Sequence, residues 1–413
     1  MSIKQLTYVR LLMATGILTL PTLHAHAEFI NDSKATVQLR NFYFNSDYRQ
    51  EAARQSKREE WAQGFIVKYE SGYTAGTVGF GLDAIGLLGL KLDSGPDRQN
   101  SGLLPVGSHK APDEYSQLGA TAKVRVSNSN LKTGTFIPKL KTVLPSDSRL
   151  LPQSFQGTHL TMNEVEGLTF NLGRLTQNSL RNSSSLDDMT VAGSGITGGK
   201  ATDRFDFTSL EYAWSKNLTT EYNYGFLEGN YKQHIVNSLY TVPLADQRSL
   251  TTDLRYAHSS NDEQSNVDNQ AFGVLLKYKL KSHGFTAAYQ QMEGDTGFPH
   301  INGTTSFLVN YVMMSADFAN PSERSWQLRY DYDFAGVGLP GLSFMTRYIR
   351  GDNFERKGVN AAEWERNTDI AYRIQSGTLK NLEFKWRNGT YRSSGGNDID
   401  QNRLIASYSI SLF

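Results

Sequence analysis

Hydrophobic and polar residues alternate with a period of two along most of the chain. Over residues 326–334, aromatic and aliphatic side chains occupy every second position, and Gln, Arg and Asp stand between them. The same pattern recurs at residues 122–126, 250–256, 272–280, 370–374, 382–386 and 404–412. Successive side chains of a strand point to opposite faces, so the pattern predicts strands with one apolar and one polar face.

The polar faces of these strands carry several charges each, such as Arg329, Asp331 and Asp333. A soluble β-sandwich turns its apolar faces inward and seldom places adjacent charges on the other face. A transmembrane barrel inverts this arrangement, with apolar side chains toward lipid and charges toward a wet lumen. An open sheet edge in lipid costs about 2 to 7 kcal/mol per unpaired group, so the sheet must close. The pattern therefore predicts an all-β protein, a transmembrane antiparallel β-barrel.

The amino-terminal segment differs from the rest. Lys4 and Arg10 flank the start of an apolar run over residues 11–20, and Ala25, His26 and Ala27 close it. These are the features of a secretory signal peptide. We expect cleavage after Ala27, a barrel over residues 28–413, and a location in the bacterial outer membrane. No later stretch approaches the roughly 20 apolar residues of a membrane-spanning helix.

Composition narrows the class further. The chain has no cysteine, and its 21 Phe, 21 Tyr and 5 Trp residues suit strands whose rings lie at a membrane interface. The formal net charge of +1 gives no global field that would draw nucleic acid, so charge selectivity must be local. At roughly 20 residues per strand and loop, the length predicts about 16 to 20 strands, enough to enclose a channel.

Polar stretches between the alternating segments are predicted to be loops. They cover residues 50–60, 93–114, 146–158, 177–203, 259–269, 294–304, 350–365 and 393–401. The first of them could form a short surface helix.

Several segments resemble the OprD family of substrate-specific outer-membrane porins. They include LRNFYF at 39–44, WAQGF at 61–65, RLLPQ at 149–153, SWQLRYD at 325–331, and residues 77–84, 90–93, 123–125 and 340–345. The resemblance covers almost the whole chain after residue 27. It implies a barrel of about 18 strands, monomeric or weakly trimeric, with inward-folded constriction loops and a ladder of basic side chains on one wall. Residues 149–153 resemble the loop that the family folds into the pore.

The resemblance also assigns candidate residues. The family's basic positions fall on or beside Arg40, Arg58, Arg125, Arg149, Lys385, Arg387 and Arg403. Ser46 stands where some relatives have a further basic residue, so one rung is expected to be missing. Period-two alternation independently directs Lys385 and Arg387 to the lumen, because Phe384 and Trp386 beside them are apolar.

A row of arginines suits the passage of anions. A guanidinium stays charged and binds a carboxylate through a forked pair of hydrogen bonds, and several shallow sites permit both entry and release. The sequence therefore predicts a channel for small carboxylates or amino acids. Asp295 and Asp317, near an inward loop expected after Gln290, are candidates for holding a substrate ammonium. Alternatively, each lumen arginine simply neutralises an acid such as Asp331 or Glu383.

Other function classes have little support. The eight histidines lack HExxH spacing, no serine lies in a GxSxG motif, and no acidic cluster has EF-hand spacing. Residues 193–198 fit GxGxxG without the strand and helix that a nucleotide site needs. We expect no enzyme activity, cofactor, metal or nucleic-acid partner. A hydrolase site built from His159, His234 or His258 with a distant serine is an alternative.

The expected partners are small carboxylates or amino acids, together with outer-membrane lipid and lipopolysaccharide. The rival hypothesis is a barrel whose external loops mainly bind or adhere to a partner, with conduction incidental.

Overall fold

The main element of the computed structural model, which describes residues 29–50, 53, 55–311 and 314–413, is one closed antiparallel sheet of 18 strands. In chain order these are β1 Lys34–Tyr48, β2 Lys57–Glu70, β3 Val78–Asp93, β4 Glu114–Val126, β5 Ser129–Phe136, β6 Ser154–Met162, β7 Leu168–Ser179, β8 Phe205–Ala213, β9 Leu218–Leu227, β10 Tyr231–Leu244, β11 Arg248–Asn261, β12 Asp268–Leu280, β13 His283–Glu293, β14 Arg324–Asp333, β15 Leu342–Arg356, β16 Val359–Arg373, β17 Glu383–Ser393 and β18 Ile399–Ser411. The first strand pairs with the last, with Thr36 opposite Ser411 and Tyr48 opposite Ile399. The predicted barrel is confirmed, and its strand number agrees with the resemblance. The expected signal peptide, residues 1–27, lies outside the described residues.

Side-chain exposure agrees with the predicted arrangement, in which apolar side chains face outward and charged ones face the lumen. Phe384 and Trp386 are 51% and 38% exposed on the outer face of β17. Lys385 and Arg387, at the alternate positions, line a cavity inside the barrel. Leu328 and Leu404 repeat the outward arrangement on their strands, at 57% and 52% exposure. The apolar face therefore surrounds the barrel, and the charged face encloses its lumen.

The two ends of the barrel differ. At the short-turn end, where β1 begins and β18 ends, neighbouring strands are joined by connections as short as residues 127–128 and 281–282. At the long-loop end, the connections include residues 94–113, 137–153, 180–204 and 294–323. Outer-membrane barrels have short periplasmic turns and longer extracellular loops, which orients this barrel. Among the described residues, no helix is long and apolar enough to cross a membrane.

Three of the long loops fold into the barrel and pair with one another. Leu144–Pro145 pairs with Thr304–Thr305, and Val191–Ala192 pairs with His300–Ile301. Leu150 and Leu151, in the first of these loops, are completely buried against side chains of the wall. The inward constriction loops expected from the sequence are confirmed.

Some predicted loop boundaries are wrong. Residues 350–365 form the half of the hairpin β15–β16 at the long-loop end, and the hairpin turns at Lys357 and Gly358 with φ of 55° and 76°. Polar side chains in this segment face the lumen, the wet rim and, at Arg350, the outer surface, and this polarity resembles that of a loop. Residues 57–60 open β2 instead of forming a helix, residues 154–158 belong to β6, and the loop after β13 extends to residue 323.

Candidate solute-binding site

Arg40, on the inner face of β1, fixes the loop over residues 137–153. Its NH1 atom donates to Asp147 Oδ1 at 2.7 Å and to the carbonyl oxygens of Arg149 and Leu150 at 2.8 and 3.3 Å. Arg40 is only 8% exposed. Hydrogen bonds to buried carbonyls are costly to break because they leave unpaired polar groups. Arg40 therefore holds the loop across the lumen.

Arg149 and Arg181 come from two different loops and meet at one point. Arg149 donates from Nε to the carbonyl of Ser101 at 2.8 Å and from NH1 to the carbonyl of Ser148 at 3.0 Å. Arg181 NH1 donates to Ser146 Oγ at 2.8 Å and to Ser148 Oγ at 3.0 Å. These partners are neutral. Within the described part of the chain, neither guanidinium forms an ion pair, whereas Arg40 and Arg387 nearby do.

Crowding of like charges makes this pair electrostatically unsatisfied. Burial, followed by the positive charges of Arg403, Arg181 and Arg387, holds the pKa of Arg149 well below its usual value. Burial also lowers the pKa of Arg181. A nearby anion favours the charged form of a base. The pair is therefore arranged to bind an anion.

Lys385 and Arg387 lie on β17, with Lys385 two residues nearer the short-turn end. Arg387 NH2 lies 2.8 Å from Asp369 Oδ2, and Lys385 Nζ lies 3.1 Å from Glu383 Oε1. Each has a carboxylate partner, as the neutralisation alternative requires. Both still border open space, and Arg387 lines the same cavity as Arg149 and Arg181.

Arg403 lies beneath a loop. It is 0% exposed, and its NH2 atom donates to the carbonyl of Met314 at 3.2 Å and to Gln401 Oε1 at 2.7 Å. Its guanidinium carbon is 5.4 Å from the centroid of the Phe44 ring, which Arg149 also contacts, at 5.0 Å. Arg403 was expected to be an open rung of the ladder, but its side chain has no contact with solvent. Arg403 and Arg149 thus contact the same ring, and the charge of Arg403 adds to the positive field around Arg149.

Arg58 and Arg125 do not border the constriction cavity, although the positive charge of Arg58 is close enough to help lower the pKa of Arg149. The Arg58 guanidinium carbon is 5.2 Å from the Tyr48 ring centroid, and Arg125 lies 4.5 Å from the Tyr73 ring centroid. Arg125 lines a separate cavity near the turn between β4 and β5. Ser46, at the missing rung, is buried. The seven predicted basic residues therefore do not form one unbroken row of exposed charges.

The loop over residues 294–323 borders the same cavity as the arginines. A cavity of about 460 Å³, the constriction cavity, is bordered by Arg149, Arg181 and Arg387 and by Tyr311 and Asp317 of this loop. Asp317 is exposed to the lumen, but the surrounding protein displaces much of its water and raises its pKa to about 6. The site thus offers cations and a titrating carboxyl group within one cavity.

The same loop separates the two predicted acids. Asp317 lines the constriction cavity, whereas Asp295 is exposed near the start of the loop, away from that cavity. Arg181 and Tyr311 were missed because they lie in non-periodic segments, and no sequence signal indicated which loop residues reach the lumen.

Three cavities follow one another through the barrel. An upper cavity bordered by His300, Arg356 and Glu363 shares Tyr311 and Asp317 with the constriction cavity. A lower cavity with Lys385 and Arg373 shares Arg149 and Arg387 with it. The constriction cavity thus lies between the other two and shares lining residues with each.

Only two of the three histidines of the alternative hydrolase site are neighbours, and they lie on the outer face of the barrel. His234 lies opposite His258 in the register of β10 and β11, with His234 donating to or accepting from Tyr222. His159, on β6, contacts Asn171 instead. Residues 193–198 contact the loop over residues 294–323, where Ser194 Oγ is 3.0 Å from Asn320 Oδ1. No group of three or more His, Asp or Glu residues in the described ranges could hold a metal ion.

Comparison with known proteins gives consistent matches. Residues 27–412 match the family described as outer membrane porin, OprD family. Porin-like protein GalP of Pseudomonas putida is 38% identical over 398 residues, which cover 94% of this chain and 95% of that protein. The crystal structure of Pseudomonas aeruginosa OpdQ has 52% identity and a TM-score of 0.87, covering 94% of this chain and 100% of that one. Pseudomonas aeruginosa OpdK with vanillate has 37% identity and a TM-score of 0.86, covering 93% and 100%.

Proposed function

Because this chain belongs to the OprD family of outer membrane porins, we propose that it selects small carboxylate-bearing solutes, such as amino acids or cyclic carboxylates, as they diffuse across the bacterial outer membrane. The observation that carries the proposal is the pair Arg149 and Arg181, two lumen guanidiniums whose protein partners are neutral oxygens. A solute carboxylate entering the constriction replaces water around both. Charge-assisted hydrogen bonds are roughly twice as strong as neutral ones, so the pair favours anions over neutral solutes of equal size.

The path beyond this pair also suits a carboxylate. Arg387 borders the constriction cavity and the lower cavity. Lys385 borders the lower cavity two residues nearer the short-turn end of β17. Their ion pairs with Asp369 and Glu383 lower their affinity for a passing anion, so the solute is bound most tightly at Arg149 and released progressively below it. Binding that weakens along the exit path permits conduction.

The loop over residues 294–323 recognises the rest of the solute. Asp317 accepts an ammonium group when it is ionised, and the Tyr311 hydroxyl can serve as donor or acceptor toward a ring substituent. An amino acid would thus be held at both ends. The structural relative OpdK was crystallised with vanillate, a carboxylate, which supports the same class of solute for this chain.

Liposome swelling tests the proposal. Proteoliposomes carrying this protein are exposed to arginine, benzoate and a neutral sugar of similar size, and rates are compared with those of the double variant Arg149→Ala and Arg181→Ala. We expect the variant to lose its preference for benzoate while the sugar rate holds or rises. The variant Arg248→Ala is the control, since Arg248 pairs with Asp246 at the exposed short-turn end. Equal preference in the wild-type protein and the double variant would contradict the proposal.

The export signal is part of the same proposal. We propose that residues 1–27 are removed on secretion, so that the mature chain begins at Glu28. Amino-terminal sequencing of protein purified from outer membranes checks this directly.

A further inference from the structure

Two arginines face outward from the barrel. Arg350 on β15 and Arg366 on β16 are exposed, and their neighbours Ile349 and Glu365 are 0% exposed on the inner face. Among the described residues, neither arginine has an ion-pair partner, although the outward Arg392 nearby pairs with Asp400 at 3.0 Å. An unpaired guanidinium on a lipid-facing surface needs an anionic partner to satisfy its donors.

A row of aromatic rings fixes the depth of these arginines. The ring of Tyr348 lies 5.5 Å from that of Trp326 and 5.6 Å from that of Trp364. Arg350 is opposite both tryptophans in the strand register, and Arg366 is opposite Tyr348. Tryptophan and tyrosine rings concentrate at headgroup level, and the β15–β16 turn belongs to the long-loop end. The arginines therefore lie at the headgroup level of the outer leaflet.

An apolar groove runs from this level toward the short-turn end. Its volume is about 610 Å³, it reaches Arg366 at one end, and it is bordered by Leu250, Leu276, Phe285, Ala287 and Leu328. Ala287, which is small, lies between larger side chains and forms the depression. The groove has the shape and polarity for a hydrocarbon chain, and the cation marks where that chain's headgroup would be.

We propose that this face binds a phosphorylated, multiply acylated glycolipid of the outer leaflet, of the lipopolysaccharide type. Its phosphates contact Arg350 and Arg366, and one acyl chain occupies the groove. Guanidinium binds phosphate through a planar fork of donors, and the tryptophan rings offer a platform for the sugar. The choice of occupant rests on charge complementarity, since two unpaired cations, of which Arg366 borders the apolar groove, lie at the depth of phosphate groups.

Native mass spectrometry of the full-length porin in detergent tests the proposal. The protein is titrated with bis-phosphorylated lipid A and, separately, with the dephosphorylated lipid. We expect the double variant Arg350→Gln and Arg366→Gln to bind the phosphorylated lipid at least tenfold more weakly, with little change for the dephosphorylated form. Arg248→Gln, at the opposite end, is the matched control. Swelling rates with a neutral sugar verify that the double variant is folded and open.

Three results would overturn the inference. One is equal binding of the phosphorylated lipid by the wild-type protein and the double variant. Another is equal binding of the two lipids by the wild-type protein. The third is a double variant that changes from oligomer to monomer while its lipid binding is unchanged, because the face would then join two copies of the chain. Solute selectivity is measured independently, so failure here leaves the channel proposal untouched.

Discussion

Arg149 and Arg181 donate hydrogen bonds to one shared acceptor, Ser148 Oγ, at 3.4 and 3.0 Å. The two arginines are 32 positions apart and belong to different inward loops, so a single hydroxyl group brings the two positive charges together. A neutral acceptor cannot offset both charges, and a solute carboxylate can.

Replacing Arg149 should therefore weaken carboxylate binding more than it alters pore size. We expect Arg149→Ala to raise the concentration of benzoate that half-blocks the ion current by about tenfold or more, since a hydrogen bond to a charged group contributes about 1.5 to 3 kcal/mol. Arg149→Lys keeps the charge but loses the forked pair of donors, so its blocking concentration should lie between those of the wild-type protein and Arg149→Ala. Planar-bilayer recordings measure the block. An unchanged blocking concentration in Arg149→Ala would exclude this residue as a binding site.

Replacing Arg40 should have a different effect from replacing Arg149. Arg40→Met removes the donors that hold the carbonyls of Arg149 and Leu150, so the loop should loosen. We expect a larger single-channel conductance together with weaker discrimination between benzoate and sugar. Asp147→Asn is the comparison, because Asp147 is 56% exposed and an exposed ion pair contributes only about 0 to 1 kcal/mol. If both variants conduct like the wild-type protein, Arg40 does not anchor the loop.

The barrel could be predicted from the sequence because lipid and water constrain every strand separately. Phe384, Lys385, Trp386 and Arg387 show both faces of the wall within four residues, and the structure places them accordingly. Period-two alternation no longer identifies strands where charged strands extend to the wet rim. Residues 350–365 carry polar side chains on both faces, and only the pairing of β15 with β16 identifies them as strands.

The candidate site could be predicted only in part. Period-two alternation indicates which face of a strand a residue occupies, but not what covers that residue. Arg403 faces inward, yet the carbonyl of Met314, 89 positions away, lies over it. Arg181 was missed for the complementary reason. Its position depends on Ser146 and Ser148 in another loop, and contacts between non-periodic segments leave no pattern in the sequence.

Asp317 should make the uptake of amino acids depend on pH. Its pKa is raised to about 6, so the carboxyl group is mostly neutral below that pH and gains its charge as the pH rises. We expect lysine uptake to increase between about pH 5 and about pH 7.5, while benzoate uptake does not, because only an ammonium group is attracted by the new charge. Swelling assays at both pH values measure the ratio. Asp317→Asn should abolish the rise, and a rise that survives in this variant would assign the titration to another group.

Because the apolar face of the barrel points outward, an arginine introduced on the outer face of β18 should affect stability differently from one introduced on its inner face. Leu404 is 52% exposed on the outer face, and Ser407 lines the lower cavity. Leu404→Arg should lower the free energy of unfolding by about 2 to 4 kcal/mol if it lies near the bilayer midplane, because a guanidinium there loses its hydration. Ser407→Arg should leave stability nearly unchanged and alter only conduction, since its side chain enters water. Urea unfolding in lipid vesicles, followed by tryptophan fluorescence, compares the two. A larger loss for Ser407→Arg than for Leu404→Arg would mean that the apolar face does not meet the hydrocarbon.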